Sequence, residues 1–375
     1  MASLQSLSPS DRRIVGLLLD HGAMSRAELA DRIGISRAAV TQMIASLERF
    51  GLIEEGESRK GLRGQPARPV GIRGAAGYSA GISFSHSYLD VAIVDLTGRE
   101  VAFHRQPLAA PTPEAVAATA RGGLDAARKL ARIGTAELVG IGIAVPGDFR
   151  VDRPVLLAHR YFPAFDQLDV RRFFQERFDE RIHVENDGRT CVMGERLAGL
   201  GLACRDFMLV HIGHGVGGGL FLDNRLYRGA HFNAGPIGTF FPLDAPRPSG
   251  QDLLETLRGS GFDIADFDAL ETGDERARQA IADWSVRAGK QLGPYLHHVA
   301  NVIDPAFIIV GGRLPAAILE QMVRATGLPA EKHAERGAAG QPPVVLPSRL
   351  GARAGAIGAA SIPVLDLVYP QATGL

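Results

Sequence analysis

DFMLVHIGHGVGGGLFLDNRLYRGAHFNAGPIGTF, residues Asp206 to Phe240, sets the expectation for everything around it. Its apolar run Phe207 to Ile212 reads as a buried strand. Gly213, Gly215, Gly217, Gly218 and Gly219 then read as a turn. A second apolar run, Leu220 to Leu222, leaves towards an Asp223-Asn224 turn and Leu226-Tyr227. Strand, glycine turn, strand is a hairpin whose backbone can approach a ligand closely, because glycine has no side chain and tolerates positive φ. The backbone N–H groups of such a turn can hold a phosphate.

At 375 residues the chain exceeds one ordinary domain and predicts two or three folded units. Apolar residues make up 46% and charged residues 22%, enough for a sizeable core. The longest apolar runs, Leu138 to Pro146 and Val302 to Val310, fall short of a membrane span. Asp11, Arg12 and Arg13 follow a polar start without a signal-peptide pattern. Cys191 and Cys204 are too few for a disulfide framework or a cysteine-only zinc site. A cytoplasmic protein without membrane association is the expectation. Net charge is zero, yet residues 1–74 hold 11 basic against 8 acidic side chains. Within them, Ser58 to Gly74 carries Arg59, Lys60, Arg63, Arg68 and Arg73 and no acid. Alone, such a run is a solvated loop or a nucleic-acid contact.

Its neighbours favour the second reading. Pro9-Ser10-Asp11 opens a helix with Ile14, Val15, Leu17, Leu18 and Leu19 as its apolar face, ending at His21-Gly22. Ser25 with Glu28 makes a capping box for a short helix that stops at Gly34. Ser36 caps a third helix, with Val40, Ile44 and Leu47 on the buried side. The joining turn has the length of a helix-turn-helix corner. Arg37, Ala38, Thr41 and Gln42 then lie on faces from which a recognition helix reaches base edges and phosphates, with Ser25 and Ser36 at the helix starts. Gly51 to Glu55 reads as a strand entering a β-wing. Arg63-Gly64-Gln65-Pro66 is slim enough to place Arg63 and Gln65 at an adjacent minor groove. The alternative is a three-helix bundle with a basic linker, used for protein contacts.

From Tyr78 the pattern changes. Tyr78–Phe84, Tyr88–Asp95 and Glu100–Arg105 read as antiparallel strands. A helix from Pro113 to Ile133 and a strand from Leu138 to Val145 follow, the ββαβ order of half a two-lobed α/β fold. Phe149 to Phe165 shows little periodicity. Val170–Phe178 reads as a helix, Ile182–Val184 as a strand and Gly188–Ala198 as a helix. Beyond the glycine hairpin, residues 251–300 are mainly helical. A last strand, Ala306–Val310, meets Gly311-Gly312, and a closing helix begins within Gly351–Ala360.

GIGIAVPGDF (Gly140–Phe149), VENDGRTCVMGE (Val184–Glu195), the glycine hairpin and NVIDPAFIIVGG (Asn301–Gly312), in that order, resemble the ROK family of repressors, open reading frames and kinases. The resembling branch has a winged helix-turn-helix before a sugar-kinase-like domain. The resemblance implies an α/β protein: an N-terminal winged helix-turn-helix, then a two-lobed actin-like ATPase (sugar-kinase-like) domain. The corresponding domains are 1–74, with the basic wing and linker, and 75–375. Lobe 1 would be about 75–187 plus a C-terminal helix at about 355–370, and lobe 2 about 188–354.

Departures from the family pattern set the functional expectation. The family kinases' Asp-x-Gly-Gly-Thr turn corresponds to Ser83-Phe84-Ser85-His86-Ser87, which lacks both glycines and the carboxylate. Phosphoryl transfer relies on positioning and charge neutralisation, so no catalytic residue is expected. His214 replaces a small threonine in the hairpin. The family's zinc ligands are missing from Ala234 to Thr239 and from DAPRPSGQDLLET, so no metal and no cofactor are expected. His297-His298, adjacent on a helix, point apart. Asn186 and Asp187 match the sugar-contacting Asn and the catalytic Asp. Asp187 is a general base or simply a hydroxyl acceptor; alternatively the pair caps a helix. Pro236 and Thr239 replace a sugar-binding Glu and His, and Glu255 matches a further sugar-binding Glu. The implied function is a transcriptional regulator, a repressor, binding double-stranded operator DNA as a homodimer or homotetramer. Its small-molecule effector would by resemblance be a carbohydrate or derivative. A sugar kinase with a fused DNA-binding head, and a ligand-independent scaffold, are the rival readings.

Overall fold

Serines start the first three helices. α1 (Pro9–His21), α2 (Arg26–Ile33) and α3 (Arg37–Arg49) are capped by Ser8, Ser25 and Ser36. Ser8 and Ser25 form reciprocal capping boxes with Asp11 and Glu28, satisfying N–H groups that have no helical partner. α3 buries Val40, Ile44 and Leu47, as its spacing predicts. α1 buries Ile14, Val15 and Leu18, with Leu17 and Leu19 only partly covered. β1 (Ile53–Glu55) pairs antiparallel with β2 (Val70–Ile72) to give the wing's two strands. The reading of Ser58–Gly74 as loop throughout is thereby corrected at its end. Val70 is fully buried and exchanges both backbone hydrogen bonds with Met24, a pairing too short for alternation to reveal. The computed structural model describes residues 7–56, 68–134, 138–150, 155–202, 204–271, 273–329 and 341–368.

Two five-stranded sheets follow, and both use one plan. In the first, β3 (Tyr78–Phe84), β4 (Tyr88–Asp95) and β5 (Glu100–Pro107) make an antiparallel meander. β6 (Leu138–Val145) joins β3 in parallel after the crossover helix α4 (Pro113–Ala131). A small hairpin of β7 (Gly147–Phe149) and β8 (Leu156–Ala158) comes next. It lies in the segment whose sequence shows little periodicity, because its strands are only three residues long. After α5 (Val170–Gln175), β9 (Ile182–Asn186) completes the order β5-β4-β3-β6-β9 and leads into α6 (Asp187–Ala198).

In the second sheet β10 (Phe207–Ile212), β11 (Val216–Leu222) and β12 (Arg225–Tyr227) form the meander, and α7 (Gly250–Gly259) and α8 (Glu275–Ile303) cross over to the parallel strand β13 (Phe307–Gly312). α9 (Ala316–Ala325) then leads to the parallel edge strand β14 (Val345–Pro347), neither of which the sequence reading placed. The order β12-β11-β10-β13-β14 repeats that of the first sheet. Central strands are covered on both faces; all eight residues of β4 are buried, which accounts for its mostly apolar sequence, with Asp90 neutralised by Arg105.

The glycine hairpin needs a correction. Gly217, Gly218 and Gly219 belong to β11, paired with His211, Val210 and Leu209, and none of the five hairpin glycines has positive φ. Their role is close approach. A methyl group at Gly219 would lie 2.7 Å from Val192 of α6, and one at Gly218 would lie 2.6 Å from Leu209 O. At the far end, Asp223 and Asn224 take φ of 49° and 62°, the left-handed pair that a two-residue hairpin turn requires.

α10 (Arg353–Val368) closes the chain against β3, β6 and α6. Backbone meets backbone there. A methyl at Gly81 or Gly142 would fall 2.0 or 1.9 Å from carbonyl oxygens of α10, and one at Gly358 would fall 1.7 Å from Thr190 O on α6. The last turns of α10 also serve the head: Val364 and Val368 pack into the core of α1–α3 together with Leu96, and Arg12 donates to Leu367 O. Gly358→Ala is expected to lower the urea-unfolding free energy by about 1–3 kcal/mol through overpacking. Gly259→Ala, which meets nothing within 4 Å, should leave it unchanged or raise it slightly.

Candidate functional site

The C-terminal ends of the two sheets face each other across a cleft that opens to solvent. Pro146, Gly147 and Asp148 follow β6, Asn186 and Asp187 start α6, and His211 to Gly218 come from the β10–β11 hairpin; His159, Phe162, Ala234 and Pro236 complete the wall. Gly217 has nothing within 4 Å of where a side chain would begin, so the hairpin leaves that wall open.

Both ends of the Asn186 side chain are engaged, with one amide N–H left over. Its side-chain oxygen caps α6 by accepting from Arg189 N at 3.1 Å, and its Nδ2 donates to Gly147 O at 2.8 Å. Asp187 accepts from Gly188 N at 2.9 Å through Oδ1, and its Oδ2 lies 3.6 Å from His211 Nε2. Neither ring nitrogen of the buried His211 has a hydrogen-bond partner among the described residues. Burial lowers its pKa against the pull of Asp187, so it stands neutral. Burial also lowers His159 and raises Asp148, whose carboxyl Arg189 draws back. Beneath the wall the fully buried Glu185 accepts from Arg189 Nε at 2.6 Å and Arg228 Nε at 2.9 Å, pinning α6 to the loop that follows β12. The cleft thus presents a carboxylate and neutral imidazoles, acceptors suited to a hydroxyl-rich ligand.

Glu255 is exposed on α7 and does not line the cleft; it accepts from Gln251 Nε2 at 3.0 Å. The Thr239 hydroxyl turns back to Pro236 O. Sequence reasoning missed Asp148, His159, His211 and Asp266. A histidine inside an otherwise apolar central strand was a signal for His211; nothing local marked Asp266.

Asp266 lies buried behind His214, which lines the cleft. It has no exposed surface, and Ser85 Oγ, Ser87 N and Ser87 Oγ all donate to its Oδ2, at 2.6, 3.0 and 2.9 Å. Burial alone would raise its pKa, but the Ser85 hydroxyl, His214, the Phe267 N–H and Ser87 together hold it below the usual carboxylate range. His214 stacks on His86 with ring centroids 3.7 Å apart. Its pKa is lowered to about 3, chiefly by burial and then by His86. The buried Arg313, just beyond β13, crosses to the first sheet and donates to Ser83 Oγ at 2.7 Å. Among the described residues no cluster of three or more His, Cys, Asp or Glu could hold a metal, and no helix is long and apolar enough to cross a membrane.

On the head, Ser36, Arg37, Ala38, Thr41 and Gln42 are exposed along one side of α3. Ser36 accepts from Ala39 N and Thr41 donates to Arg37 O, while Arg37 and Gln42 make no side-chain hydrogen bond or ion pair among the described residues. Ser25 is half-buried, its hydroxyl engaged in capping α2. Arg63 and Gln65 lie outside the described residues.

Fold and site together define a two-lobed protein of the actin-like, sugar-kinase architecture with a winged helix-turn-helix head. The ROK family model matches residues 79–251 and 249–364, and a winged helix-turn-helix DNA-binding model matches residues 7–54; the chain belongs to the ROK family. An uncharacterized protein, y4fQ, of Sinorhizobium fredii is 40% identical over 373 residues, 99% of this chain and 95% of its own length. The xylose repressor of Bacillus spizizenii is 25% identical over 375 residues, 94% of each chain. A crystal structure of a ROK family transcriptional regulator, homologous to the Escherichia coli MLC protein, superposes with a TM-score of 0.67 at 20% identity and 96% coverage of both chains.

His159, His183, His211 and His214 all have lowered folded pKa values. Below the unfolded value of about 6.5 the unfolded chain binds more protons, so stability falls as pH drops from about 6.5 towards the depressed values. His214→Gln should flatten that loss by about one proton, roughly 1.4 kcal/mol per pH unit, in denaturant titrations between pH 6 and pH 5.

Proposed function

We propose that the chain is a transcriptional repressor whose head binds operator DNA and whose ROK domain senses a small molecule, a carbohydrate or carbohydrate derivative, in the cleft. The observation that carries this reading is the free face of α3, where Arg37 and Gln42 stand unengaged beside a two-stranded wing. In this reading residues 1–74 form the DNA-binding unit and 75–375 the sensor. Its first lobe is 75–187 with the closing helix, and its second 188–354. Two heads of a homodimer, or of a tetramer built from dimers, read the half-sites. Arg63 and Gln65 extend the contact into the minor groove. Relatives that resemble this chain over nearly its whole length and are named as repressors support the reading.

The sensor reading rests on Asn186, Asp187 and the neutral His211 at the cleft wall. Loss of kinase activity is part of the proposal. Ser85 and His86 follow β3, His214 follows β10 and Arg313 follows β13, with Asp266 bonded among them, where the family's kinases bind phosphate by resemblance. In this reading a phosphate entering there would compete with the buried Asp266 carboxylate for the Ser85 and Ser87 donors. Ligand control then requires different affinities for the DNA-competent and incompetent states.

Salt-dependent titration against selected and random duplexes tests the head. Selected DNA should bind at least about 10³-fold more tightly than random DNA, both weakening as salt rises. Arg37→Ala and Arg63→Ala should each reduce the salt slope by about 1. Equal, feeble binding to every duplex would sink the repressor reading. For the cleft, ATP consumption across a panel of hexoses should stay at the buffer rate, and turnover that vanishes in Asp187→Ala would restore the kinase.

A further inference from the structure

The turn between β3 and β4 gathers three donors at one point: the Ser85 hydroxyl, the Ser87 hydroxyl and the Ser87 backbone N–H. All three belong to the first lobe. The oxygen they meet belongs to Asp266, between α7 and α8 in the second lobe, whose other oxygen accepts from Phe267 N at 2.8 Å. The rings of His86, His214, Phe162 and Phe267 cover the spot. A backbone N–H flanked by hydroxyls is the donor set that selects an oxyanion, and charge-assisted hydrogen bonds of this kind are the strong ones.

We propose that the Ser85–Ser87 turn is an oxyanion seat which the chain fills with its own Asp266 carboxylate, and that this internal ligand latches the two lobes together. The seat suits a carboxylate or a tetrahedral oxyanion such as phosphate, and with Asp266 in place it is closed to both. His214 belongs to the latch and to the cleft at once. Its Nε2 lies 3.2 Å from Ser85 Oγ and 3.6 Å from Asp266 Oδ1, while the residue lines the cavity beside His211. A cleft ligand therefore touches a member of the latch directly. The Arg313–Ser83 hydrogen bond is a second tie between the lobes, made by residues that do not themselves line the cavity. None of this depends on the head binding DNA.

The test uses the full chain and Asp266→Ala, with thermal unfolding followed in sodium chloride, sodium phosphate and sodium formate at matched ionic strength. The variant should unfold at lower temperature and recover in phosphate or formate by more than the wild type gains. Recovery should be lost when Ser87→Ala is added. Equal gains in wild type and variant would place any oxyanion site elsewhere and overturn the proposal, as would a variant that neither anion rescues. Should Asp266→Ala fail to fold, the volume-conserving Asp266→Asn serves with amide hydrogen exchange. Exchange at the Ser87 amide should rise roughly tenfold, the size of one lost charged hydrogen bond, with Val310 in β13 unchanged. An unchanged Ser87 amide refutes the latch.

Discussion

Backbone contact without side chains between α10, α6 and the first sheet is the constraint on which the other packing rests. Gly81, Gly142, Gly194 and Gly358 let helix carbonyls sit where side chains would otherwise project. Contacts this close fix the direction of α6, and α6 begins at Asn186 and Asp187. The cleft therefore inherits its geometry from a seam on the far side of the same helix. Interiors packed at this density shift as units rather than bend.

The two sides of the cleft are built on different principles. On the α6 side, polar groups such as Asp187 and His211 face a cavity, with a glycine leaving room beside them. On the β3 side, the corresponding space is filled from within by a carboxylate, two stacked imidazoles and a guanidinium. Buried charge is tolerable only when its hydrogen bonds are met, and Asp266 meets that condition with four donors drawn from both lobes. An open cavity remains on one side, and contacts between the lobes fill the other.

Much of the fold was legible because its signals are local. Serine caps, the four-and-three spacing of Val40, Ile44 and Leu47, and the predominantly apolar stretches of β3, β4, β6 and β10 each follow from a few neighbouring residues. The wing's return strand and the β7–β8 hairpin were not legible, since three residues cannot display a period. Of the two properties read into the hairpin glycines, positive φ is absent; close approach is realised against β10 at Gly218 and α6 at Gly219, while Gly217 faces open space. Asp187 was found through its motif, whereas Asp266 was not. Its partners stand about 180 residues away in sequence, and only the tertiary structure joins them.

α10 also has a consequence for the order of events during synthesis. The head and the first sheet are made early, yet Val364 and Val368 belong to the head's core and Ala356 to Ala360 cover the first sheet. Those surfaces wait, bare and apolar, until α10 leaves the ribosome. Domain-by-domain folding from the N-terminus, the usual course for a chain of this length, is therefore left incomplete until α10 emerges. A nascent chain stalled before Arg353 would hold the head and both sheets and still lack the helix that packs against the head and the first sheet.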